Sequence, residues 1–499
     1  MSPSWSDTGR ARRATIHQLP PELLSDIFNQ NMPTYDPLTI FRECEAVEEQ
    51  RVHAPFRIAA VCAAWRKAAL ADPRLWTTII VPRMLPNPDP EPNALALLDM
   101  AYPFVRSMSL LDSYRVPTWK ARTLARIDTA LARSGNLPID VKFALLDSGH
   151  LADFKSLVLR FAGHAHRWRS VFATFLGGMT FDLFFAQVGH ETPELRAVKF
   201  ELLPGNSSVI YVSWVDPQWN AEEAWCNDRW NSQERRTLLY APKLESLTLS
   251  EINVPLYCHG LAQFSVYASG TELGRDIWDT INENRESLRI LSLTAEHDIT
   301  VLNTPLQLPH LKELTIGGKI GAYIDDGLIP ADLFTMAQLE TLAVYGGVLG
   351  RAGLDRIISL NDLHNLQELL IYGLWDLHKA EACVYALATL GKLRRLKLSD
   401  CTMPDELIKR MCVASPANDV IWPHLEVLDI GDKIENMLSG RILNMAKIRG
   451  PQLQPENGAS AVPLPWVILE VQVSFVQELP KLWRDEIAAL AQEAARLRE

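Results

Sequence analysis

A spacing of apolar residues that can be written L-x-x-L-x-L recurs along much of the chain. Its clearest copies begin at Leu244, Leu288, Leu311, Leu339, Leu366, Leu393 and Leu425, and weaker copies begin at Trp168, Leu195, Leu261 and Leu469. From Leu261 the first positions advance by 27, 23, 28, 27, 27 and 32 residues. Because alternate residues of a strand point to opposite faces, the last two apolar positions of each copy should point inward from one short strand. The pattern favours a solenoid of parallel strands, in which stacked neighbours bury a core that one unit could not bury alone.

The residues beside the inward leucines stand on the opposite face of the strands, which is the concave face of such a solenoid. Aligning the copies places Tyr345 and Tyr372 at equivalent positions of two adjacent strands, with Glu368, Arg395 and Lys397 around them. Aromatic residues beside arginine are typical of binding hot spots. This cluster is therefore the candidate site for a protein target. The alternative is that loops or the terminal segment cover the tyrosines and bury them.

The first 80 residues carry a different pattern, with helical spacing. Pro21 suits the first turn of a helix, because its missing N–H would have no partner there. Apolar residues then form one stripe of this helix, at Leu23, Leu24, Ile27 and Phe28. A second helix is predicted from about Phe56 to Leu70, and an additional one over residues 38–51. So small a segment cannot bury this much apolar surface alone, so a partner protein or the neighbouring repeats must cover it.

Changes of composition divide the chain into five parts. These are a flexible tail over 1–14, a helical domain over 15–81 with an insertion at about 29–55, a linker with degenerate first repeats over 82–165, the solenoid over 166–475 and a C-terminal capping helix over 476–499. Within the linker part, a helix is predicted over 119–134 and strands around 105–110 and 137–143. A loop inserted in the solenoid at 205–236 carries four tryptophans, which either clamp a partner or pack back onto the repeats.

Charge narrows the choice of partners. The chain of 499 residues carries 49 basic and 60 acidic side chains, which gives a net charge of −11. The first 80 residues carry nine of each, so the remaining 40 basic and 51 acidic side chains hold the whole imbalance. Binding to phosphate backbones draws on clustered Lys and Arg, so nucleic acid is not an expected partner. A basic or mixed-charge protein segment suits the repeats better than an acidic one.

The sequence does not indicate a membrane, metal or catalytic site. It has no run of 18 apolar residues and no secretory signal, so we expect no membrane partner. Seven cysteines without a C-x-x-C pair favour neither a disulfide framework nor a zinc site, and they fit a cytoplasmic or nuclear protein. Motifs of phosphate-binding loops, serine hydrolases and zinc proteases are missing. We therefore expect a protein that is not an enzyme and needs no cofactor.

Three short motifs of the first 80 residues resemble, in this order, the F-box in the form common among long fungal F-box proteins. The motifs are Leu19-Pro20-Pro21-Glu22-Leu23-Leu24 followed by Ile27-Phe28, then Val61-Cys62-Ala63-Ala64-Trp65-Arg66, then Pro73-Arg74-Leu75-Trp76. In that family the segment docks on the Skp-type adaptor of a cullin-RING (SCF) ubiquitin ligase. The resemblance implies a docking surface formed or supported by Leu19, Pro20, Leu23, Leu24, Ile27, Phe28, Val61, Cys62, Trp65 and Trp76. The 32 residues between Phe28 and Val61 make a longer connection than is usual in the family.

The repeats resemble leucine-rich repeats over roughly 165–475, and the best full match runs from Leu393 to Cys401. Together the two resemblances imply an α/β protein: a small helical F-box-like segment, then an irregular leucine-rich-repeat solenoid with helices on the convex side, and a C-terminal cap. They imply a substrate-recognition subunit that docks on the adaptor and binds a protein target with its repeats. The alternative is a non-catalytic repeat scaffold that acts outside ubiquitination.

Overall fold

The chain divides into two compact units, Met1–Leu244 and Glu245–Glu499. The computed structural model describes residues 19–31, 45–81, 116–144, 151–175, 184, 188, 192–202, 241–252, 258–268, 275–296, 306–318, 334–345, 357–358, 363–373, 386–399, 422, 424–430 and 470–473. Several predicted features lie outside the described residues, namely the tail over 1–14, the strand around 105–110, the tryptophan loop at 205–236 and the capping helix over 476–499.

Over the described residues from 19 to 76, the first unit has three α-helices and a short 3-10 helix. α1 spans Pro21–Asn31, α2 spans Glu45–Val61, α3 spans Ala63–Ala71 and the 3-10 helix spans Pro73–Trp76. The single helix predicted over 56–70 is wrong, because the helical backbone breaks at Cys62. There the backbone is extended, with φ −157° and ψ 173°, and Sγ accepts a hydrogen bond from the Trp65 N–H at 3.4 Å. Cys62 thereby caps the start of α3, and the residues before it belong to α2.

A parallel sheet follows in the first unit. Its strands pair in the order β1 (Thr78–Ile80), β2 (Ile139–Ala144), β3 (Trp168–Phe175) and β4 (Ala197–Leu202). α4 (Val116–Arg133) precedes β2, and α5 (Leu151–Ala162) precedes β3. Parallel neighbours need such crossover connections, because a tight turn can join only antiparallel strands. The helix predicted over 119–134 and the strand predicted over 137–143 are both confirmed.

Aromatic rings fill the core of this unit. Phe143 of β2 stacks on Phe161 of α5 with 5.9 Å between ring centroids. Phe184 lies in the middle of a larger cluster, between 5.5 and 6.0 Å from the rings of Phe143, Trp168, Phe175 and Phe200. Aromatic pairs in these arrangements contribute about 0.5–1.5 kcal/mol each beyond the burial of their area. The strands and α5 are therefore joined by ring packing.

A buried arginine holds α4 to the start of β3. Arg167 is 4% exposed, and its guanidinium donates to the carbonyl of Leu131 at 2.9 Å and to that of Gly135. These carbonyls lie at the C-terminal end of α4, where the last carbonyls lack helical partners and the helix dipole favours a cation. Burial lowers the pKa of Arg167, but a guanidinium remains charged at neutral pH.

The second unit stacks parallel strands, one for each copy of L-x-x-L-x-L from Leu244 onward. In order of pairing they are β5 (Ser246–Ser250), β6 (Gln263–Ala268), β7 (Ile290–Ala295), β9 (Glu313–Gly318), β11 (Thr341–Tyr345), β12 (Glu368–Tyr372), β13 (Arg395–Ser399), β14 (Val427–Ile430) and β15 (Glu470–Val473). β8 (Leu306–Gln307) and β10 (Phe334–Thr335) pair separately, and α6 (Arg275–Glu283) precedes β7. The predicted α/β fold with a solenoid of parallel strands is confirmed.

The register between these strands is the one that the leucine alignment predicts. Leu342 pairs with Leu314 on one side and with Leu369 on the other, and Leu369 pairs in turn with Leu396. All four are at most 1% exposed. A shift of one residue would turn a whole strand's leucines to the opposite face, so their burial specifies the register.

Candidate binding surfaces

The apolar stripe of α1 is divided between the protein core and the surface. Leu24 and Phe28 are 2% and 3% exposed, whereas Leu23 is 51% exposed and Ile27 is partly exposed. Residues four apart share one side of a helix, so Leu24 and Phe28 form one row and Leu23 and Ile27 form the next. α1 therefore packs through the first row and presents Leu23 to solvent.

The second motif lies at the junction of α2 and α3. Val61, the last residue of α2, is 56% exposed, and Cys62 and Trp65 are partly exposed. The Trp65 ring contacts the Phe28 ring with 4.9 Å between centroids and 56° between their planes. This contact joins α1 to the start of α3, so the first two motifs meet in space.

The third motif is held inside the first unit. Trp76 is 2% exposed, and its indole N–H donates to the Ala69 carbonyl at 2.8 Å. Its ring meets Phe56 of α2 edge-on, with 5.1 Å between centroids. Trp76 therefore supports the helices from within, whereas Leu19 and Pro20, at the start of the first motif, are partly exposed and exposed.

A buried carboxylate, which the sequence analysis did not single out, ties α1 to the 3-10 helix. Asp72 accepts hydrogen bonds from the Asn29 side-chain amide at 2.8 Å, from the Arg74 backbone N–H at 3.0 Å and from the Arg74 guanidinium at 2.9 and 3.0 Å. Burial raises the pKa of Asp72, but the hydrogen bonds from Arg74 and Asn29 outweigh it, so this pKa lies below its ordinary value. The charged carboxylate fixes the end of α3 against α1. In the sequence, the only signal for this role of Asp72 is the Asp72-Pro73 pair, which is typical of the end of a helix.

The candidate target-binding residues lie on the side of the second unit's sheet opposite the leucines. This side is named the polar face. Tyr345 of β11 pairs in register with Tyr372 of β12. Their rings are stacked, with 4.4 Å between centroids and 4° between planes. Tyr345 is 40% exposed and Tyr372 is partly exposed. The two rings thus form one aromatic surface that reaches solvent.

Charged side chains surround the tyrosines in pairs. Lys397 Nζ lies 2.9 Å from the Asp429 carboxylate and 5.8 Å from the Tyr372 ring centroid. The hydrogen bond with Asp429 raises the pKa of Lys397. Arg395 approaches Glu368 to 3.8 Å. The structure therefore brings the five predicted residues together and adds Asp429. The repeat alignment predicts the strand position of Asp429 but not its ion pair with Lys397.

Large apolar or aromatic side chains that are exposed concentrate at these surfaces. Among the described residues they are Leu23, Val61, Leu159, Tyr267 and Tyr345. Two of the five belong to the N-terminal motifs and one belongs to the tyrosine pair. Tyr267 occupies the same column of the polar face as Tyr345, three strands away.

Other kinds of site find no support in the part of the chain that the structure describes. There, no group of His, Cys, Asp and Glu residues is arranged to hold a metal ion. Likewise, no helix within the described ranges is long and apolar enough to cross a membrane. The sequence matches no model of a known protein family and no curated protein. The functional assignment therefore rests on the two surfaces themselves.

Proposed function

We propose that this protein is the substrate-recognition subunit of an SCF (cullin-RING) ubiquitin ligase. Its N-terminal helices dock on the Skp-type adaptor and its repeats bind a protein target. The observation that carries the proposal is the division of the apolar motifs, in which Leu24 and Phe28 pack the helices while Leu23 and Val61 remain exposed. Such a receptor acts by proximity, because it raises the concentration of the target beside the ubiquitin-charged enzyme.

Adaptor docking is supported by the apolar area that it would bury. Full burial of a leucine or valine side chain contributes about 1.5–3 kcal/mol. Leu23 and Val61 are each about half exposed, so covering both is worth about 2 kcal/mol. The Phe28–Trp65 contact and the Asp72 hydrogen bonds hold the two exposed residues on a fixed scaffold, which reduces the entropy lost on binding.

Leu23→Asp is expected to abolish co-purification of the Skp-type adaptor with the full chain, because docking would have to bury an unpaired carboxylate. Size-exclusion chromatography of the co-expressed proteins measures the complex. Leu159→Asp is the matched control, since Leu159 on α5 is 49% exposed and lies outside the three motifs. An adaptor that remains bound to Leu23→Asp, or that is lost equally from both variants, would contradict the docking surface.

Target binding is assigned to the polar face around Tyr345 and Tyr372. A stacked aromatic pair offers rigid apolar area, and Arg395, Glu368, Lys397 and Asp429 offer polar contacts at its margin. Exposed ion pairs contribute little to folding stability. Arg395 and Glu368, whose side chains are exposed, can therefore exchange their present partner for groups of a target at low cost.

The double variant Tyr345→Ala/Tyr372→Ala is expected to lose the target and to keep the adaptor. Quantitative mass spectrometry of proteins that co-purify with each variant from fungal cells measures both losses in one experiment. The free energy of unfolding should fall by about 1–3 kcal/mol, because the stacked contact and part of the rings' buried area are lost together. Tyr267→Ala is the control, because this tyrosine is 42% exposed in the same column but lies three strands away.

Two results would overturn this assignment of the target site. One is a double variant that retains every partner, and the other is a large loss of stability, which would make the tyrosines core residues. Adaptor binding without ubiquitination of any bound partner would instead favour a repeat scaffold that acts outside ubiquitination.

A further inference from the structure

A row of side chains projects from the edge of the second unit's sheet at which its strands begin. Each residue of this row, named the edge ladder, follows the first leucine of a repeat. Its members are Glu245, Ala262, Arg289, Lys312, Glu340, Gln367, Arg394 and Glu426. From Ala262 onward, the N–H of each member donates to the carbonyl of the preceding member at 2.7–2.8 Å. These bonds hold neighbouring members at the spacing of adjacent strands, about 4.8 Å.

Opposite charges at neighbouring positions of the edge ladder form ion pairs. Lys312 lies 2.8 Å from Glu340, and Arg394 lies 3.8 Å from Glu426. Arg289 differs, because its ladder neighbours are Ala262 and Lys312, and neither carries a negative charge. Within the described ranges the Arg289 guanidinium has no ion pair and no side-chain hydrogen bond. Within the edge ladder, Arg289 is therefore a basic residue without an acidic neighbour.

A groove lies beside Arg289. It has a volume of about 530 Å³, and its lining includes Gly260, Ala262, Arg289, His310, Lys312 and Gln338. Gly260 and Ala262 leave the space open because their side chains are absent or small. The other four supply N–H donors. Glu286, also at the groove, already lies 3.4 Å from Arg285.

We propose that this groove binds an acidic peptide segment of a partner protein. One Asp or Glu side chain of the segment pairs with Arg289, as Glu340 pairs with Lys312 and as Glu426 pairs with Arg394. The guanidinium fork suits a carboxylate because it can donate two parallel hydrogen bonds. His310 and Gln338 lie further along the groove and donate to the remaining polar groups of the segment.

The dimensions of the groove favour a peptide over a small ion. Its lining comes from four consecutive repeats, which span about three strand spacings, or roughly 14 Å. An extended peptide advances about 3.3 Å per residue, so the groove accommodates roughly four residues. The net charge of −11 favours basic or mixed-charge partners for the repeats as a whole and opposes an acidic ligand at long range. This repulsion is screened beyond about 8 Å at physiological ionic strength, so the proposed acidic peptide depends on contacts within the groove. The proposed ion pair between Arg289 and the peptide carboxylate forms at contact distance, where this screening is weak.

The test uses the purified full chain and a fluorescent hexaglutamate peptide, with binding measured by fluorescence anisotropy. Arg289→Gln is expected to weaken binding about tenfold, the effect of one charge-assisted hydrogen-bonded contact. Arg394→Gln is the matched control, because Arg394 occupies the same ladder position but is paired with Glu426; binding should be unchanged. Ala262→Asp should also weaken binding, since it places a carboxylate of the chain itself beside Arg289.

Three outcomes would overturn the proposal. They are no binding of hexaglutamate in preference to hexaglutamine, equal losses in Arg289→Gln and Arg394→Gln, and displacement of the peptide by inorganic phosphate at the same concentration, which would indicate a small-anion site. The inference goes beyond the proposed ligase function and does not depend on it. Adaptor co-purification, which Leu23→Asp tests, is expected to be normal in every groove variant, so the two proposals can fail separately.

Discussion

Replacing Trp76 with alanine is expected to destabilise the first unit by about 3–5 kcal/mol. The loss would leave a cavity where the indole meets Phe56 of α2, the Ala69 carbonyl of α3 and the Arg133 guanidinium of α4, which lies 5.6 Å from the ring centroid. Hydrogen–deuterium exchange locates the effect. Amides of α2 and α3 should exchange faster, whereas those of β11 to β13 in the second unit should not change.

Trp76→Phe separates packing from hydrogen bonding at this position. It retains an aromatic ring but removes the N–H donor, so the Ala69 carbonyl loses its partner at a cost of about 1–2 kcal/mol. The resemblance to the F-box counts Trp76 among the docking residues. Because the ring is buried, we expect any loss of adaptor binding in Trp76→Ala to follow the loss of structure, whereas Leu23→Asp should lose the adaptor with normal exchange. Unchanged exchange in Trp76→Ala would show that the ring is not a core residue.

The strand order and register of the second unit could be predicted from the sequence, because the L-x-x-L-x-L repeat determines both. The two inward leucines of each repeat specify which residues face the core, and the residue between them must then face the other way. This alternation alone predicts that Tyr345 and Tyr372 lie side by side. The ion pair of Lys397 with Asp429 depends on side-chain conformation, which the period does not determine.

The N-terminal helices were less predictable because an apolar stripe does not say which of its edges is buried. Leu23 and Leu24 are adjacent in the sequence and belong to one stripe, yet Leu24 is buried together with Phe28, four residues later, and Leu23 is exposed. The sequence does not predict the break at Cys62, because apolar residues keep helical spacing across it. The sequence does not predict the groove beside Arg289 either. The groove depends on the small, uncharged side chain of Ala262, and the repeat pattern does not single out that residue.

Leu369→Ala is expected to destabilise the second unit by about 2–5 kcal/mol, and Leu370→Ala by clearly less. The two residues are adjacent on β12 and chemically identical. Leu369 is fully buried between Leu342 and Leu396, whereas Leu370 lies on the polar face and is partly exposed. Deleting the first leaves a cavity in the core of the solenoid, and deleting the second removes side-chain atoms that are already near solvent.

Denaturant unfolding combined with hydrogen exchange of β11 to β13 measures both variants, and the difference between them tests the orientation of the whole sheet. If Leu370→Ala cost as much as Leu369→Ala, both faces of β12 would be buried. Tyr372, two residues beyond Leu370 on the same face, would then lie beneath other parts of the chain, and a target could not reach the tyrosine pair. A large difference would leave the polar face open, because the same alternation along β11 places Tyr345 on that side as well.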